Sequence, residues 1–167
     1  MDTAEFKRLF LPCHPKLYRV AYRLTGNAQD AEDIVQEAYL KLWARRDDMV
    51  TPDNPEAYAV TLTRNLCLDW LRQHWHSAEA CPPEEAVLAT EETPSRLVEE
   101  ADEQAYLLRL ISRLPDTQRR AIWLRDVNGC SFEEMEHATG LSTTNLRVLL
   151  SRARKKIREQ LNQMNCL

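Results

Sequence analysis

The sequence predicts an all-α protein made of two small helical domains joined by a flexible acidic linker. The chain has 167 residues, of which 44% are hydrophobic and only 3 are Gly, a composition that fits a soluble, mostly helical protein with a real core. Apolar residues recur every three or four positions through most of the chain. The stretch 77–104 breaks this pattern, because it holds Pro82, Pro83, Pro94 and nine acids.

Charge divides the chain in the same way. Residues 1–76 carry 10 basic and 11 acidic side chains, residues 77–104 carry 1 and 9, and residues 105–167 carry 11 and 6. The overall charge of −4 taken alone argues against a nucleic-acid partner. A basic C-terminal unit behind an acidic tether nevertheless favours such a partner for that unit.

The first domain is predicted to contain three long helical segments, at about 6–24, 28–46 and 55–75. Pro12 and Pro15 interrupt the first segment, so we expect a break near its middle. An Asn directly before each of the other two helices is a suitable N-cap. The second of these helices has acids on its outer face, whose simplest interpretation is a solvated surface.

The second domain begins with an amphipathic segment from Ala105, although Leu97 or Val98 is also a possible helix start. This segment stops at Pro115, and the next helix runs to Asn128-Gly129.

The stretch 131–158 then predicts two helices joined by a tight turn. Ser131 and Glu134 form a capping box at the start of the first helix. Gly140 supplies a left-handed turn residue, and Ser142 can cap the second helix. Between Leu141 and Arg158 there are six Lys or Arg and no acid.

The face of the second helix opposite its apolar stripe is basic and polar, which is typical of helix-turn-helix DNA recognition. The plain alternative is an amphipathic helix with a solvated basic face. The candidate DNA-facing residues are Thr144, Asn145, Arg147, Val148, Ser151, Arg152 and Lys155.

Cysteine usage and hydropathy indicate a cytoplasmic protein. The five cysteines are scattered and form no CxxC pair, so we expect reduced thiols, several of them in the core. No apolar run approaches the roughly 20 residues of a membrane span, and no signal peptide is evident. We therefore expect no membrane insertion.

An enzyme is the alternative from a different class. His74, His76 and Cys81 form a conceivable metal site, but Cys81 lies in the Pro-rich tether and no fourth ligand is evident. No Gly-rich phosphate loop or nucleophile elbow is present. We expect no enzymatic activity, no cofactor and no metal.

Four segments, in order, resemble extracytoplasmic-function (ECF) sigma factors of the sigma-70 family. They are LYRVAYRLTGNAQDAEDIVQEAYLKLW (17–43), NPEAYAVTLTRNLCLDWLRQH (54–74), LPDTQRRAIWLRDVNGCSFEEMEHATGLS (114–142) and LSRARKKIREQL (150–161). The resemblance implies a sigma-two-like domain at 1–76, a linker at 77–104 and a sigma-four-like helix-turn-helix domain at 105–167.

The same resemblance implies partners and roles. The partners are core RNA polymerase, through its clamp helices and flap region, promoter DNA, and an anti-sigma factor. The segment 47–54 matches the family's base-capture loop, and the second helix of the stretch 131–158 would read the minus-thirty-five element. The implied polymerase-binding residues are Asp30, Asp33, Gln36, Glu37 and Lys41, and the implied minus-ten residues are Tyr58, Asn65, Asp69 and Arg72.

The chain departs from the family pattern in its DNA-reading helix-turn-helix. Members usually have a small residue and then Thr where this chain has Thr144 and Asn145, and often a basic residue at Leu149. Glu136 and His137 replace the more usual Ala-Glu. A stand-alone helix-turn-helix regulator that binds a palindrome as a dimer is the closest alternative function, but it leaves the N-terminal helices without a purpose.

Overall fold

The computed structural model describes residues 1–49, 52–75 and 98–165. The chain divides into two compact units, Met1–Pro82 and Pro83–Leu167. Within the described ranges the regular elements are all helical. The prediction of an all-α protein is confirmed.

In the part of the first unit that the structure describes there are four α-helices. They are α1 (Thr3–Phe10), α2 (His14–Thr25), α3 (Ala28–Ala44) and α4 (Pro55–His74), with a 3₁₀ turn at Leu11–Cys13 between α1 and α2. The predicted break in the first segment is confirmed, because α2 begins at His14 with Pro15 in its first turn.

Local side-chain chemistry sets the helix boundaries of this unit. The Asn27 side chain accepts hydrogen bonds from the backbone N–H groups of Gln29 (2.8 Å) and Asp30 (3.1 Å), so it caps α3 as predicted. Asn54 caps α4 by accepting from Ala57 at 3.0 Å. Helix α3 ends at Ala44, two residues before the predicted end.

The core of the first unit forms where α2 packs against both α3 and α4. Large apolar side chains fill it with almost no solvent exposure, and two buried threonines satisfy their hydroxyls within their own helices. Thr25 and Thr63 each donate to the carbonyl four residues earlier at 2.8 Å. The largest apolar side chains that are fully buried are those of Phe10, Leu17, Leu24, Leu42 and Leu71.

The described residues of the second unit also form four α-helices. They are α5 (Val98–Ser112), α6 (Asp116–Ile122), α7 (Phe132–Thr139) and α8 (Thr143–Asn165), and a π-helical turn at Trp123–Val127 extends α6. Helix α5 begins inside the stretch 77–104, at one of the two starting points that the sequence allows.

The helix-turn-helix forms as the sequence predicts. Ser131 and Glu134 exchange hydrogen bonds of 3.0 Å in a capping box. Gly140 ends α7 with φ of 74°, a left-handed conformation that glycine adopts without strain. Helices α6 and α7 pack against α8, which buries Leu146 and Leu150. The buried stripe of α8 therefore faces the core and leaves its other side to solvent.

Three cysteines lie in the cores of the units. Cys13, Cys67 and Cys130 are buried, and burial raises the pKa of the Cys67 thiol to about 12. Cys81 and Cys166 are outside the described residues. Among the helices that the structure describes, none has both the length and the apolar character that crossing a membrane requires.

Candidate nucleic-acid and polymerase interface

Helix α8 presents all seven candidate DNA-facing side chains to solvent. Thr144, Val148, Ser151 and Lys155 recur every three or four residues and form one row along the helix, which we call the exposed row. Val148 is 42% exposed, which is unusual for a β-branched apolar side chain on a folded helix. A helix with a row of polar and basic side chains and one apolar side chain can contact both phosphates and base edges.

Arg147 and Ser151 lie toward one edge of this exposed surface. The Arg147 guanidinium is 5.2 Å from the centre of the Phe132 ring, and the Arg125 guanidinium is 4.6 Å from it. Arg147 and Ser151 also line a groove of about 740 Å³, whose apolar residues include Ile111. The Arg147 guanidinium therefore lies beside α7 and remains exposed to solvent.

Arg154 has a different role from the other cations of α8. Its Nε donates to Asp126 Oδ2 at 3.1 Å and its terminal nitrogen donates to Asp126 Oδ1 at 2.7 Å. These two bonds raise the pKa of Arg154 further above its ordinary value. Arg154 is one of the six basic residues between Leu141 and Arg158, and its charge is therefore paired with Asp126 of the π-helical turn.

A carboxylate on α7 caps the start of α8, a contact that sequence reasoning missed. Glu136 Oε1 accepts a hydrogen bond from the Thr143 backbone N–H at 2.8 Å and another from the Thr143 hydroxyl. Ser142 Oγ accepts from Asn145 N–H at 3.2 Å, as the sequence predicts. The N-terminus of α8 therefore has two side-chain caps, one neutral and one charged.

Helix α4 borders a cavity of about 460 Å³. Tyr58 and Asn65 line it together with Arg45 and Leu62, and two residues of the predicted base-capture loop, Pro52 and Asn54, also line it. Asp69 and Arg72 are exposed on the same face of α4, further toward its C-terminus. The structure thus brings two of the four predicted minus-ten residues to one cavity and places the other two beyond it. The cavity residues not predicted from the sequence are Arg45, Ala57, Thr61 and Leu62.

The aromatic residues at the end of α4 are engaged within the helix. The Trp70 and His74 rings stack with centroids 4.2 Å apart, and His74 Nδ1 is 2.8 Å from the Trp70 carbonyl oxygen. Trp75 is buried. The other two members of the conceivable metal site, His76 and Cys81, lie outside the described residues.

Helix α3 displays the acidic face. Asp33, Gln36 and Glu37 are exposed, and Lys41 forms an ion pair with Glu37 at 3.6 Å. Asp30 is half-buried in the first turn, where its backbone N–H bonds to the Asn27 cap. Four of the five predicted polymerase-binding residues therefore share one accessible surface.

Leu40 lies in this acidic face, and sequence reasoning did not single it out. It is 68% exposed, and its neighbours one helical turn away are Gln36, Glu37, Trp43 and Ala44. Because Gln36 and Glu37 border it on one side, Leu40 offers an apolar contact within the polar surface of α3. Its signal in the sequence is its position: it falls outside the apolar stripe of α3.

Two family models match separate parts of the chain. Sigma-70 region 2 matches residues 9–77, and Sigma-70, region 4 matches residues 104–157. The chain belongs to the sigma-70 family. The first match contains the acidic face and the α4 cavity, and the second contains the helix-turn-helix.

Curated relatives point to the ECF branch of this family. The chain is 36% identical over 166 residues to the ECF RNA polymerase sigma factor SigJ of Mycobacterium tuberculosis, covering 96% of this chain and 51% of that protein. It is 31% identical over 148 residues to the ECF sigma factor SigE of Mycolicibacterium smegmatis, covering 87% of this chain and 57% of that protein. The sigma-70 family chain described here thus spans about half the length of these relatives.

Solved structures of sigma factors align with nearly the whole chain. The sigma factor RpoE of Bartonella quintana, crystallised with the anti-sigma factor NepR, is 24% identical. The alignment covers 95% of this chain and 97% of that one, with a TM-score of 0.44.

Proposed function

We propose that this protein is a sigma factor that binds core RNA polymerase and directs transcription initiation at specific promoters. The observation that carries the proposal is the exposed basic surface of α8, which has no acid from Thr143 to Arg158, within a chain that matches both sigma-70 regions. A dimeric helix-turn-helix regulator accounts for that surface alone. It assigns no role to the acidic face or to the α4 cavity.

The acidic face of α3 is assigned to the polymerase. Carboxylates at Asp33 and Glu37 would meet basic residues of the clamp helices, and opposite charges across an interface speed association and fix its register. Asp30, Gln36 and Lys41 would complete the contact. The Glu37–Lys41 pair is exposed, so it contributes little to stability and leaves both groups available for exchange with a partner.

The cavity beside α4 is assigned to the melted minus-ten strand. Tyr58 offers a ring on which an unstacked base can stack, and Asn65 offers an amide for the edge of that base. Extruding a base opposes binding by a few kcal/mol, which these contacts offset. Asp69 and Arg72 would contact the strand beyond the cavity.

Helix α8 is assigned to the duplex minus-thirty-five element. Arg147 and Arg152 are the expected phosphate or guanine contacts, and Val148 can meet a thymine methyl group. Ser151 and Asn145 can bond to bases or backbone. Thr144 and Lys155 extend the same surface at its two ends.

The proposal places catalysis in the polymerase and the protein in the cytoplasm. Residues 1–76 and 105–167 are the two binding modules, and 77–104 is the connection between them. An anti-sigma factor, and contacts with the flap region, follow from the family resemblance.

The test of DNA reading is the salt dependence of promoter binding. Replacing Arg147 and Arg152 by Ala should weaken binding to an upstream-element duplex. It should also reduce the slope of log K against log salt by about one unit for each phosphate that the variant no longer neutralises. A double variant that binds the duplex with unchanged affinity and slope refutes this assignment.

A further inference from the structure

The cap that Glu136 provides adds a negative charge at the start of α8. Ser142 already provides a neutral cap to the first turn, through its bond to the Asn145 N–H. Glu136 reaches across from α7 to the Thr143 N–H and hydroxyl, seven residues further along the chain. Capping alone does not require a full negative charge at this point, since hydroxyl and amide oxygens serve equally well.

The carboxylate lies where a DNA-reading helix approaches its target. Thr143, which it contacts, directly precedes Thr144, the first member of the exposed row. In helix-turn-helix proteins the N-terminal residues of the second helix contact base edges and lie close to phosphates. Charges within the Debye length of about 8 Å interact through physiological salt. Glu136 is itself exposed, so its charge acts on phosphates in this region.

The sign of this charge is opposite to that of its surroundings. The stretch from Leu141 to Arg158 carries six basic residues and no acid, so it attracts any duplex regardless of sequence. A repulsive element placed beside such a surface discriminates between docking orientations, because it destabilises those that bring a phosphate against it.

We propose that Glu136 is a specificity-determining residue for promoter recognition. Its carboxylate disfavours orientations of a duplex that place a phosphate at the start of α8, whereas the promoter register avoids this clash and is stabilised by the exposed row. This inference rests on the proposed function, because it requires α8 to read duplex DNA.

The experiment compares Glu136→Gln with the matched control Glu133→Gln in the full chain. Gln at 136 keeps an oxygen acceptor for Thr143 and removes only the charge. Glu133 is exposed on the same helix, one turn before Glu136, and its replacement changes the net charge equally without altering the cap of α8. The probes are a duplex selected by the wild-type protein from a random-sequence pool and an unselected duplex of equal length, each titrated at several salt concentrations.

The expected result is a loss of discrimination in one variant only. Glu136→Gln should bind the unselected duplex about threefold more tightly, the effect of one charge roughly 6 Å from a phosphate in water. Binding of the selected duplex should change less, so the affinity ratio falls. Glu133→Gln should leave the ratio unchanged. Thr143→Val removes one bond to the cap and keeps the charge, so it should lower the melting temperature without altering the ratio.

Two results overturn the inference. If Glu136→Gln and Glu133→Gln have the same affinity ratio, the charge of Glu136 does not discriminate. If Glu136→Gln loses helix content in far-UV circular dichroism and both affinities fall together, Glu136 is only a structural cap. A wild-type protein that enriches no duplex from the pool refutes the proposed DNA reading itself, which is a separate outcome.

Discussion

Arg152 and Arg154 lie two residues apart on α8, and the structure predicts opposite consequences for replacing them by Ala. Arg154 forms two hydrogen bonds to Asp126, at 2.7 and 3.1 Å, which join α8 to the π-helical turn after α6. Arg152 is exposed on the surface assigned to DNA. Arg154→Ala should therefore destabilise the second unit, and Arg152→Ala should weaken DNA binding at nearly unchanged stability.

The geometry and exposure of the Arg154 pair set the size of the effect. The Arg154 and Asp126 side chains are 49% and 40% exposed, so solvent screens their attraction and the appropriate scale is that of a surface pair. Two-pronged geometry places the pair near the upper end of that scale, at about 1 kcal/mol. A loss of this size lowers the melting temperature of a domain with 60–100 residues by roughly 4–8 °C.

Thermal unfolding followed by circular dichroism, together with duplex binding, decides between the two roles. We expect a lower melting temperature for Arg154→Ala and a smaller salt slope for Arg152→Ala. Asp126→Ala should match the stability loss of Arg154→Ala, and the double variant should lose little more, because the two residues form one interaction. Equal melting temperatures for Arg152→Ala and Arg154→Ala refute the assignment of Arg154 to a structural role.

Three further predictions concern the first unit. Leu40→Asp should weaken binding to core polymerase at least tenfold, because it replaces an apolar contact with a carboxylate that the interface must desolvate. Leu11→Asp, at a leucine that is also exposed, should not weaken binding, and equal pull-down of both variants contradicts the role of Leu40. Asn27→Ala removes two hydrogen bonds from the start of α3, so it should lower the free energy of unfolding by about 1 kcal/mol. Urea titration measures this change, and an unchanged midpoint of unfolding argues against the cap. Burial raises the pKa of the Cys67 thiol to about 12 in the folded state, above its ordinary value of 9.0. The unfolded state therefore loses this proton first, and the free energy of unfolding should fall as pH rises from about 9 toward 12. Cys67→Ala should show a shallower fall, and a pH profile identical to that of the wild type contradicts this prediction.

Much of the fold follows from local signals in the sequence. Pro15 and the capping residues Asn27, Asn54 and Ser131 each act within a few residues of where they stand, so the helix starts that they predict match the structure. The sequence predicts helix ends less well than helix starts. Helix α3 ends two residues before its predicted end, and no Gly or Pro in the sequence marks that position. The exposed row of α8 was also predictable, because the 3.6-residue period separates it from the buried stripe.

The features that the sequence did not predict depend on tertiary contacts. Arg154 resembles the other cations of α8 until Asp126 is placed opposite it, 28 residues away in the chain. Glu136 stands out in the sequence only as a departure from the family pattern, and its role requires knowing how α7 and α8 meet. Arg45 and Leu62 enter the α4 cavity through packing of the first unit, which no local pattern encodes.

The central claim is that one copy of this chain joins a polymerase and a promoter. The most direct measurement is sedimentation of the purified full chain with bacterial core RNA polymerase, followed by mapping of transcript starts on a fragmented-genome template. We expect a one-to-one complex that initiates at a small set of asymmetric sites, and loss of the complex in the Asp33→Lys, Glu37→Lys double variant. A chain that sediments apart from core polymerase and binds palindromic DNA as a dimer contradicts this claim.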